Sequence, residues 1–345
     1  MRWSAIAVLL VLTGGATIAA EDRWSSAPAR PGGDVVMRIV SVEDEDENPL
    51  AAGKAAAEAL KRAMGPSALK VVLVSECFED RENKEKTLKG ITSVLPETIV
   101  VGGATYGSFT QDGCTDYDSV CLLGIGGDGI AVSAALVTDL GTAKLTYDGH
   151  QAEIQELLHT AGRKLAEKLR RTDQDRLLIL VADAHAPKNQ SLVEGMQQVV
   201  GKPFPITGGC ANKNAGQTFV YFGGKAHPDS AVALMLAGDF RVALSGRQAN
   251  ENEKVIATAR DGAQEALSKA GGKPIAVLAF NCAGRRSKLK KHEDELAAMQ
   301  SALGEEVPLF GCYCAGEIGP VDMAEKGDAF SGGAGWHVMF TVLTK

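Results

Sequence analysis

Three stretches of the chain share one pattern of apolar and polar positions. Each opens with a nearly continuous apolar run, which is typical of a strand buried on both faces. A polar segment with helical spacing follows, and then a second apolar run that enters a glycine turn. The apolar runs are residues 69–77, 176–184 and 274–282, the helical segments 79–95, 191–200 and 289–303, and the turn glycines Gly102, Gly208 and Gly311. This order predicts three strand–helix–strand crossovers, whose two strands lie parallel.

The segments between these crossovers predict further helices and antiparallel strands. Helices are expected at residues 49–64, 154–169 and 255–270, and strands at 35–42, 231–244 and 336–343. Residues 119–140 form an apolar run broken by Gly126–Gly129, which predicts a hairpin. We therefore expect an α/β fold with mixed sheets covered by helices. It is built from three strand–helix–strand units of about 100 residues each, with an added hairpin.

Alignment of the three units by pattern suggests which positions are shared. Cys77, Ala184 and Cys282 align at the ends of the first apolar runs. Cys312 and Cys314 of the third unit align with glycine, threonine or alanine in the other two units, so the shared turn does not need thiols. Glu317 aligns with Ser108 and Asn214, which makes its carboxylate specific to the third unit.

The N-terminus has the features of a secretory signal. Arg2 supplies a positive charge, residues 5–12 a short apolar core, and Ala19 or Ala20 a small residue before cleavage. We predict a signal peptide over residues 1–20, a linker over 21–34, and export to the periplasm or the extracellular space. Seven cysteines in such a compartment raise the question of disulfides, and Cys114 and Cys121 could bridge.

Charge and hydropathy exclude some classes of function. The net charge of −7 argues against a general nucleic-acid binder, because phosphate contacts need clustered Lys and Arg. After the N-terminus no segment approaches 18 unbroken apolar residues, so no stable membrane insertion is expected once the signal is cleaved. The acidic run 43–47 could hold a cation, but a solvated loop before a helix is the favoured interpretation.

The third unit carries most of the groups that could recognise a ligand. In open α/β sheets, ligands bind beyond the carboxyl ends of the strands. There, Arg285 suits an anionic group and Glu317 a cationic group, so together they would hold a zwitterion. The alternative is that these two side chains pair with each other. The predicted ligand-binding residues are Arg285, Glu317, Tyr313, Gly311, Gly316 and Cys282.

Cysteine chemistry is the enzymatic alternative, with Cys282 or Cys314 as the nucleophile. A nucleophilic thiol needs a nearby base, and His185 could serve if the units pack around a centre. Neither cysteine lies in a catalytic motif, and binding without catalysis is favoured, so no catalytic residue is assigned. The single residue between Cys312 and Cys314 is not the spacing of a zinc knuckle, so no metal site is assigned either.

The third unit resembles the C-terminal half of the FIST family of sensory domains. The resemblance lies in Phe280-Asn-Cys-Ala-Gly-Arg285 and in Phe310-Gly-Cys-Tyr-Cys-Ala-Gly-Glu-Ile-Gly-Pro320, and more loosely in residues 43–60 and 102–107. It implies a FIST N-like domain at 35–246, a FIST C-like domain at 247–345 and a small-molecule ligand, with amino acids proposed. Cys314 and Ala315 stand where the family has Thr and an aromatic residue.

Two points about cofactors and partners stay open at this stage. Some relatives are associated with haem, and no cofactor is assigned to this chain. Family members are often fused to signalling domains, and none fits in this chain. A membrane signalling protein is therefore the partner considered. This chain would either bind a ligand and signal to that protein, or be a purely structural partner of it.

Overall fold

The computed structural model describes residues 22–214, 216–322 and 330–345, so the predicted signal peptide lies outside the described residues. The helices in these ranges are α1 (Pro49–Met64), α2 (Arg81–Val94), α3 (Tyr147–Lys168), α4 (Asn189–Val200), α5 (Asn252–Ala270), α6 (Ala283–Arg286) and α7 (His292–Leu303). The strands are β1 (Arg23–Ser25), β2 (Val36–Glu43), β3 (Leu69–Glu76), β4 (Ile99–Ala104), β5 (Ser108–Thr110), β6 (Gly113–Thr115), β7 (Ser119–Gly126), β8 (Ile130–Val137), β9 (Asp175–Ala182), β10 (Ile206–Cys210), β11 (Lys213–Asn214), β12 (Gln217–Thr218), β13 (Val220–Phe222), β14 (Lys225–His227), β15 (Ala231–Gly238), β16 (Arg241–Gln248), β17 (Pro274–Cys282), β18 (Leu309–Cys314), β19 (Glu317–Pro320), β20 (Ser331–Ala334) and β21 (His337–Thr344).

Local sequence accounts for where the first helices begin and end. The Asn48 side chain accepts a hydrogen bond from the Ala51 N–H at 3.2 Å, and Pro49 occupies the first turn of α1. Gly65 ends the helix with φ at +57°. Asp80 caps α2 in the same way, by accepting from the Asn83 N–H at 2.8 Å. These caps satisfy backbone donors that the first helical turn leaves free.

Three mixed sheets form the body of the protein, as the sequence predicts. Their strand orders are β14-β13-β4-β3-β7-β2, β1-β8-β15-β9-β10-β19-β20 and β16-β21-β17-β18-β5-β6, and β11 and β12 form a separate pair. Each large sheet contains one parallel pair, and its other pairs are antiparallel; the parallel pairs are β3 with β4, β9 with β10, and β17 with β18. A helical connection joins the two strands of each parallel pair, which confirms the three strand–helix–strand units.

Each unit contributes its added hairpin to the sheet of another unit. β5 and β6 of the first unit extend the third sheet, where Phe109 lies opposite Gly311. β13 and β14 of the second unit extend the first sheet, and β19 and β20 of the third unit extend the second. This cyclic exchange joins the three units into one body, so a hairpin and the sheet it completes belong to different units.

The predicted hairpin at residues 119–140 is wrong. Its two strands, β7 and β8, are consecutive in the chain but belong to the first and second sheets. The predicted bent strand 231–244 is likewise two strands, β15 and β16, in the second and third sheets. Both runs are apolar because their strands are buried, and such a pattern does not indicate which strand lies alongside. Within the predicted linker, residues 23–25 pair with β8 as an edge strand.

The three sheets enclose a common core and carry helices on their outer faces. Inward-facing side chains of all three sheets meet in one cluster, which includes Leu73, Ile179 and Leu278. Three outer clusters hold the helix pairs: α1 and α2 on the first sheet, α3 and α4 on the second, and α5 and α7 on the third. The three sheets therefore share one interior, and the helices lie outside it.

The strand register corrects the alignment of the units. Gly102, Gly208 and Gly311 lie opposite Val74, Leu180 and Ala279, so the residues that align at the strand ends are Cys77, Asp183 and Cys282. Asp183 thus replaces Ala184 in the set. Glu317 aligns with Ser108 and Val220 rather than Asn214, since each pairs with the residue after the turn glycine. The pair β11–β12 is inserted in the second unit, which displaces Asn214.

Close approach of strands explains two of the turn glycines. Gly102 and Gly208 have φ of +146° and +150°, a region that favours glycine. A Cβ at Gly102 would lie 2.1 Å from the Val74 carbonyl oxygen, and one at Gly208 would lie 1.9 Å from that of Leu180. Any side chain at either position would push the parallel strands apart.

Candidate functional site

The two motif segments of the third unit meet where Glu317 lies beside Cys282. Glu317 begins β19 in the second sheet, and Cys282 ends β17 in the third. The Glu317 side chain is fully buried, and its Oε2 accepts a hydrogen bond from the His337 N–H at 3.1 Å. Its Oε1 has no partner of normal hydrogen-bond geometry among the described residues, and the neighbouring Cys282 thiol is only a weak donor to the carboxyl. A buried carboxyl oxygen without a well-placed donor is costly and is the feature that marks this position.

Burial controls the protonation of Glu317. It raises the pKa of the carboxyl to about 8. The His337 N–H, the Cys282 thiol and the Arg285 charge favour the ionised carboxylate and so oppose this rise, but burial has the larger effect. Near neutral pH the side chain is therefore mostly a neutral acid, able to donate one hydrogen bond as well as accept. A cation brought next to it would restore the ionised form.

Trp336 lies beside Cys282 and over α6, and it is partly exposed. The Trp336 backbone N–H donates to the Cys282 sulfur at 3.4 Å. The Trp336 backbone has φ of +61°, which is uncommon for a bulky residue. A Cβ at Gly284 would lie 3.1 Å from the indole, so the ring packs closely over α6. The Lys288 ammonium lies 5.6 Å from the ring centroid. Trp336 is 39 % exposed, and the sequence interpretation missed it although it follows the run Gly332-Gly-Ala-Gly335.

The first residue of α4 and the loop before it, both in the second unit, hold the start of β19 in place. The Asn189 side-chain amide donates to the backbone oxygens of Glu317 and Ala334, at 3.1 and 3.0 Å. Gly316 has φ of +137°, and a Cβ there would lie 3.0 Å from the Ala186 nitrogen. The predicted residue Gly316 therefore sets the close contact between two units, and Asn189 is a positioning residue that the sequence did not reveal.

Arg285 makes a structural ion pair instead of an open ligand contact. It is fully buried and pairs with Glu295 on α7 at 2.9 Å, so the considered pairing with Glu317 is wrong. Its other hydrogen bonds go to Asn281 Oδ1, Thr258 Oγ1 and the Val255 oxygen, at 3.0, 3.1 and 3.0 Å. Nearly all of its N–H groups are thus engaged by the protein, which leaves little for a ligand.

Tyr313 and Gly311 also serve packing. The Tyr313 hydroxyl donates to Glu295 Oε2 at 3.3 Å, and its ring lies 5.2 Å from that of Phe109. A Cβ at Gly311 would fall 2.0 Å from the Phe109 ring, so this glycine makes room for the hairpin received from the first unit. Of the six predicted residues, the structure brings together Glu317, Cys282 and Gly316, and places the other three in the outer part of the third unit.

The thiols are not arranged for nucleophilic catalysis. Burial raises the pKa of Cys282 to about 12, and the hydrogen bond with Cys312 together with burial raises the pKa of Cys314 well above its usual value, so both thiolates are disfavoured. The His185 Nε2 is bonded to the Ala211 oxygen at 2.8 Å. All seven cysteines are free, and the suggested bridge is wrong because Cys114 packs beside an outer core while Cys121 lies in the central one.

Cavities elsewhere do not contain the predicted residues as a group. A central cavity of about 20 Å³ is lined by Cys312 and Cys314, whose sulfurs are 3.6 Å apart. It is too small for anything larger than a water molecule. A cleft of about 1200 Å³ lies between α4 and α5, with Arg247 and Lys269 both paired to Glu265, and none of the six residues lines it.

No group of three or more His, Cys, Asp or Glu side chains in residues 22–214, 216–322 and 330–345 is placed to hold a metal ion. No helix in those ranges combines the length and apolar character that a membrane-spanning helix requires.

Solved structures that are similar to this chain are distant from it. Cyanuric acid hydrolase from A. caulinodans is 11 % identical, covers 90 % of this chain and 99 % of its own, and superposes with a TM-score of 0.46. Thiamine monophosphate kinase from Aquifex aeolicus is 11 % identical, covers 59 % of this chain and 79 % of its own, and has a TM-score of 0.21. Neither likeness bears on function.

Models of protein families assign this chain to a family, which the similar solved structures do not. The sequence matches none of the curated proteins with which it was compared. The FIST N domain model matches residues 69–262, more than half of the chain, and the FIST C domain model matches residues 218–320. FIST domains are sensory domains of signal-transduction proteins. This chain, with its C-terminal motifs joined at Glu317 and Cys282, belongs to the FIST family.

Proposed function

We propose that this protein is a sensory module that binds a small amine-bearing molecule at Glu317, with amino acids and related zwitterions as the first class to test. The observation that carries the proposal is the fully buried Glu317 carboxyl, one oxygen of which has no partner of normal hydrogen-bond geometry among the described residues. A ligand ammonium would supply the missing donor. It would also supply the positive charge that makes ionisation of a buried carboxyl favourable.

The surroundings of Glu317 support entry from the Trp336 side. Trp336 is partly exposed and adjoins Cys282, whose thiol lies next to the Glu317 carboxyl, so we expect displacement of its ring to open a path to the site. Gly284, which lies against the ring, has no side chain to obstruct its movement. For the carboxylate of a zwitterion, Lys288 is better placed than Arg285, because its ammonium lies against the Trp336 ring and it is exposed.

Proton release tests this proposal. At pH 7 the free protein holds Glu317 mostly protonated, so binding of an ammonium should release nearly one proton per ligand. We expect calorimetric titration with the twenty standard amino acids and simple alkylamines, in buffers of different ionisation enthalpy, to reveal a ligand with this release. Glu317→Gln should abolish the release and weaken binding at least tenfold, as expected for loss of a charged hydrogen bond.

A matched variant separates this effect from general damage. Glu194→Gln likewise replaces a carboxylate by an amide, but Glu194 lies on α4 of the second unit, is partly exposed and pairs with His159. It should leave binding unchanged. Binding without proton release, or binding that survives Glu317→Gln, would show that the ligand lies elsewhere.

We further propose that the mature protein is exported and reports ligand binding to a membrane signalling protein. The support is the signal-like pattern of residues 1–20 and the family assignment. Expression of the full chain should give a periplasmic or secreted product whose mass corresponds to cleavage after Ala19 or Ala20. An intact N-terminus in the cytoplasmic fraction would contradict export.

A further inference from the structure

We propose a second ligand site, between the third and first units, where Arg286 binds the carboxylate of a small aromatic acid in place of Asp116. Arg286 directly follows the fully engaged Arg285, but it faces a different part of the molecule. It lies beside the exposed Tyr106 and Tyr117, away from Glu317 and Trp336. The proposal is independent of the amine site, since it depends on other residues and on ligand charge of the opposite sign.

Arg286 is a buried cation whose ion-pair partner is exposed, which is an unusual combination. The side chain is only 4 % exposed, yet its counter-charge is Asp116, which is 63 % exposed. Buried Arg285 and Lys84 have partners, Glu295 and Glu76, that are themselves fully buried. A desolvated guanidinium is costly unless an anion accompanies it. The charge of Arg286 is met by a carboxylate that solvent can reach and that a ligand could replace.

The donors of Arg286 are incompletely used. One terminal nitrogen donates to the Tyr106 backbone oxygen, and the other pairs with Asp116 and lies 3.3 Å from His292 Nδ1. The Nε–H is buried and donates to nothing in the described part of the chain. Burial and the Arg286 charge lower the pKa of His292, which favours its neutral, hydrogen-bond-accepting form. A planar carboxylate is the anion that best matches the fork of a guanidinium.

Aromatic rings define what would accompany that carboxylate. The Arg286 guanidinium lies 5.3 Å from the Tyr106 ring centroid and 5.1 Å from that of Tyr313. Tyr106 in turn makes an edge contact with Tyr117 at 5.3 Å, and the two rings are 38 % and 51 % exposed. Exposed rings next to a buried cation offer a surface for a flat apolar group. The chemistry therefore points to an aromatic carboxylate.

The segment Asp116-Tyr117-Asp118 supplies both the competing carboxylate and one of the rings. It belongs to the first unit and connects β6 in the third sheet to β7 in the first, so it crosses between two sheets. Asp118 has φ of +52°, and its N–H donates to the Cys77 oxygen at 2.8 Å, which fixes the C-terminal end of the segment. Replacement of Asp116 by a ligand would thus require movement of one exposed side chain on a segment whose end is anchored.

Benzoate is the probe for this site, and acetate and inorganic phosphate are the comparison ligands. Ligand-observed NMR on the full mature protein measures the affinity of each. We expect weak benzoate binding to the unaltered protein and about fivefold tighter binding to Asp116→Asn, because a partly exposed ion pair contributes up to about 1 kcal/mol. Asp118→Asn, in the same segment with the same change of charge, should bind benzoate as the unaltered protein does. Arg286→Lys added to Asp116→Asn should lose at least tenfold in affinity.

The remaining outcomes decide against the proposal. Equal benzoate affinity in Asp116→Asn and Asp118→Asn would mean a general charge effect. Phosphate binding without benzoate binding would overturn the carboxylate assignment, and acetate binding as tight as benzoate would overturn the role of the rings. If no anion binds either single variant at millimolar concentration, the Arg286–Asp116 pair is structural. These results are read independently of the amine titrations at Glu317.

Discussion

Replacing Arg285 with alanine should lower the free energy of unfolding by about 3–5 kcal/mol, the usual cost of breaking a buried ion pair by removing one partner. The variant leaves Glu295 fully buried and without its cation. It also removes one of the donors to Asn281 Oδ1 and one of the donors to the Val255 oxygen. Urea unfolding followed by circular dichroism measures the difference.

An exposed ion pair provides the control for Arg285. Arg163 pairs with Glu167 one helical turn away on α3, with both side chains about half exposed. Arg163→Ala should cost less than about 1 kcal/mol, because solvent screens such pairs. The double change Arg285→Met with Glu295→Leu should recover much of the loss, since it removes both charges. A cost for Arg285→Ala no larger than that for Arg163→Ala would contradict the structural role.

Replacing Glu317 with glutamine should stabilise the protein at alkaline pH and have little effect at acidic pH. The folded-state pKa of about 8 is raised from the usual value of 4.5, so the unfolded chain loses its proton first. The contribution of Glu317 to the stability of the folded protein is therefore fully present below about pH 4.5, and it is lost as the pH rises toward 8. Over that window the unaltered protein loses on the order of 4 kcal/mol that a glutamine would not lose.

The measurement is urea unfolding of both proteins at about pH 5 and about pH 9. The advantage of Glu317→Gln should appear only at the higher pH. Glu295→Gln is the matched comparison, since it is also an isosteric change of a fully buried carboxylate in the same unit. It removes the partner of Arg285 and should destabilise at both pH values. An advantage of Glu317→Gln that is equal at both pH values would exclude proton linkage as its cause.

Element positions could be predicted well from local sequence. The expected helix 49–64 and strand 274–282 coincide with α1 and β17. Pro49 and Gly65 bound the helix, and an apolar run bounded by Pro274 and Gly284 marks the strand, so the signals are local. The repeat of strand, helix, strand and glycine was also visible because each unit needs a strand buried on both faces.

The pairing of strands could not be predicted. Nothing local distinguishes β7 followed by β8 as a hairpin from two strands that enter different sheets, since both are apolar and joined by Gly126–Gly129. The insertion of β11 and β12 shifted the alignment of Asn214 for the same reason. Register depends on hydrogen bonds between segments far apart in sequence, and only the folded chain contains them.

The candidate site shows the same division. By itself, the sequence determined three α/β units, the motif residues Cys282 and Glu317, and an Arg-Arg pair after β17. The tertiary structure decided what those residues do. Arg285 and Arg286 are adjacent in α6 and so point about 100° apart around its axis. One is engaged by Glu295 inside its own unit, and the other meets Tyr106 and Asp116 of the first unit. Glu317 is buried without a cation because β19 is placed in the sheet of another unit, and no local pattern records that exchange.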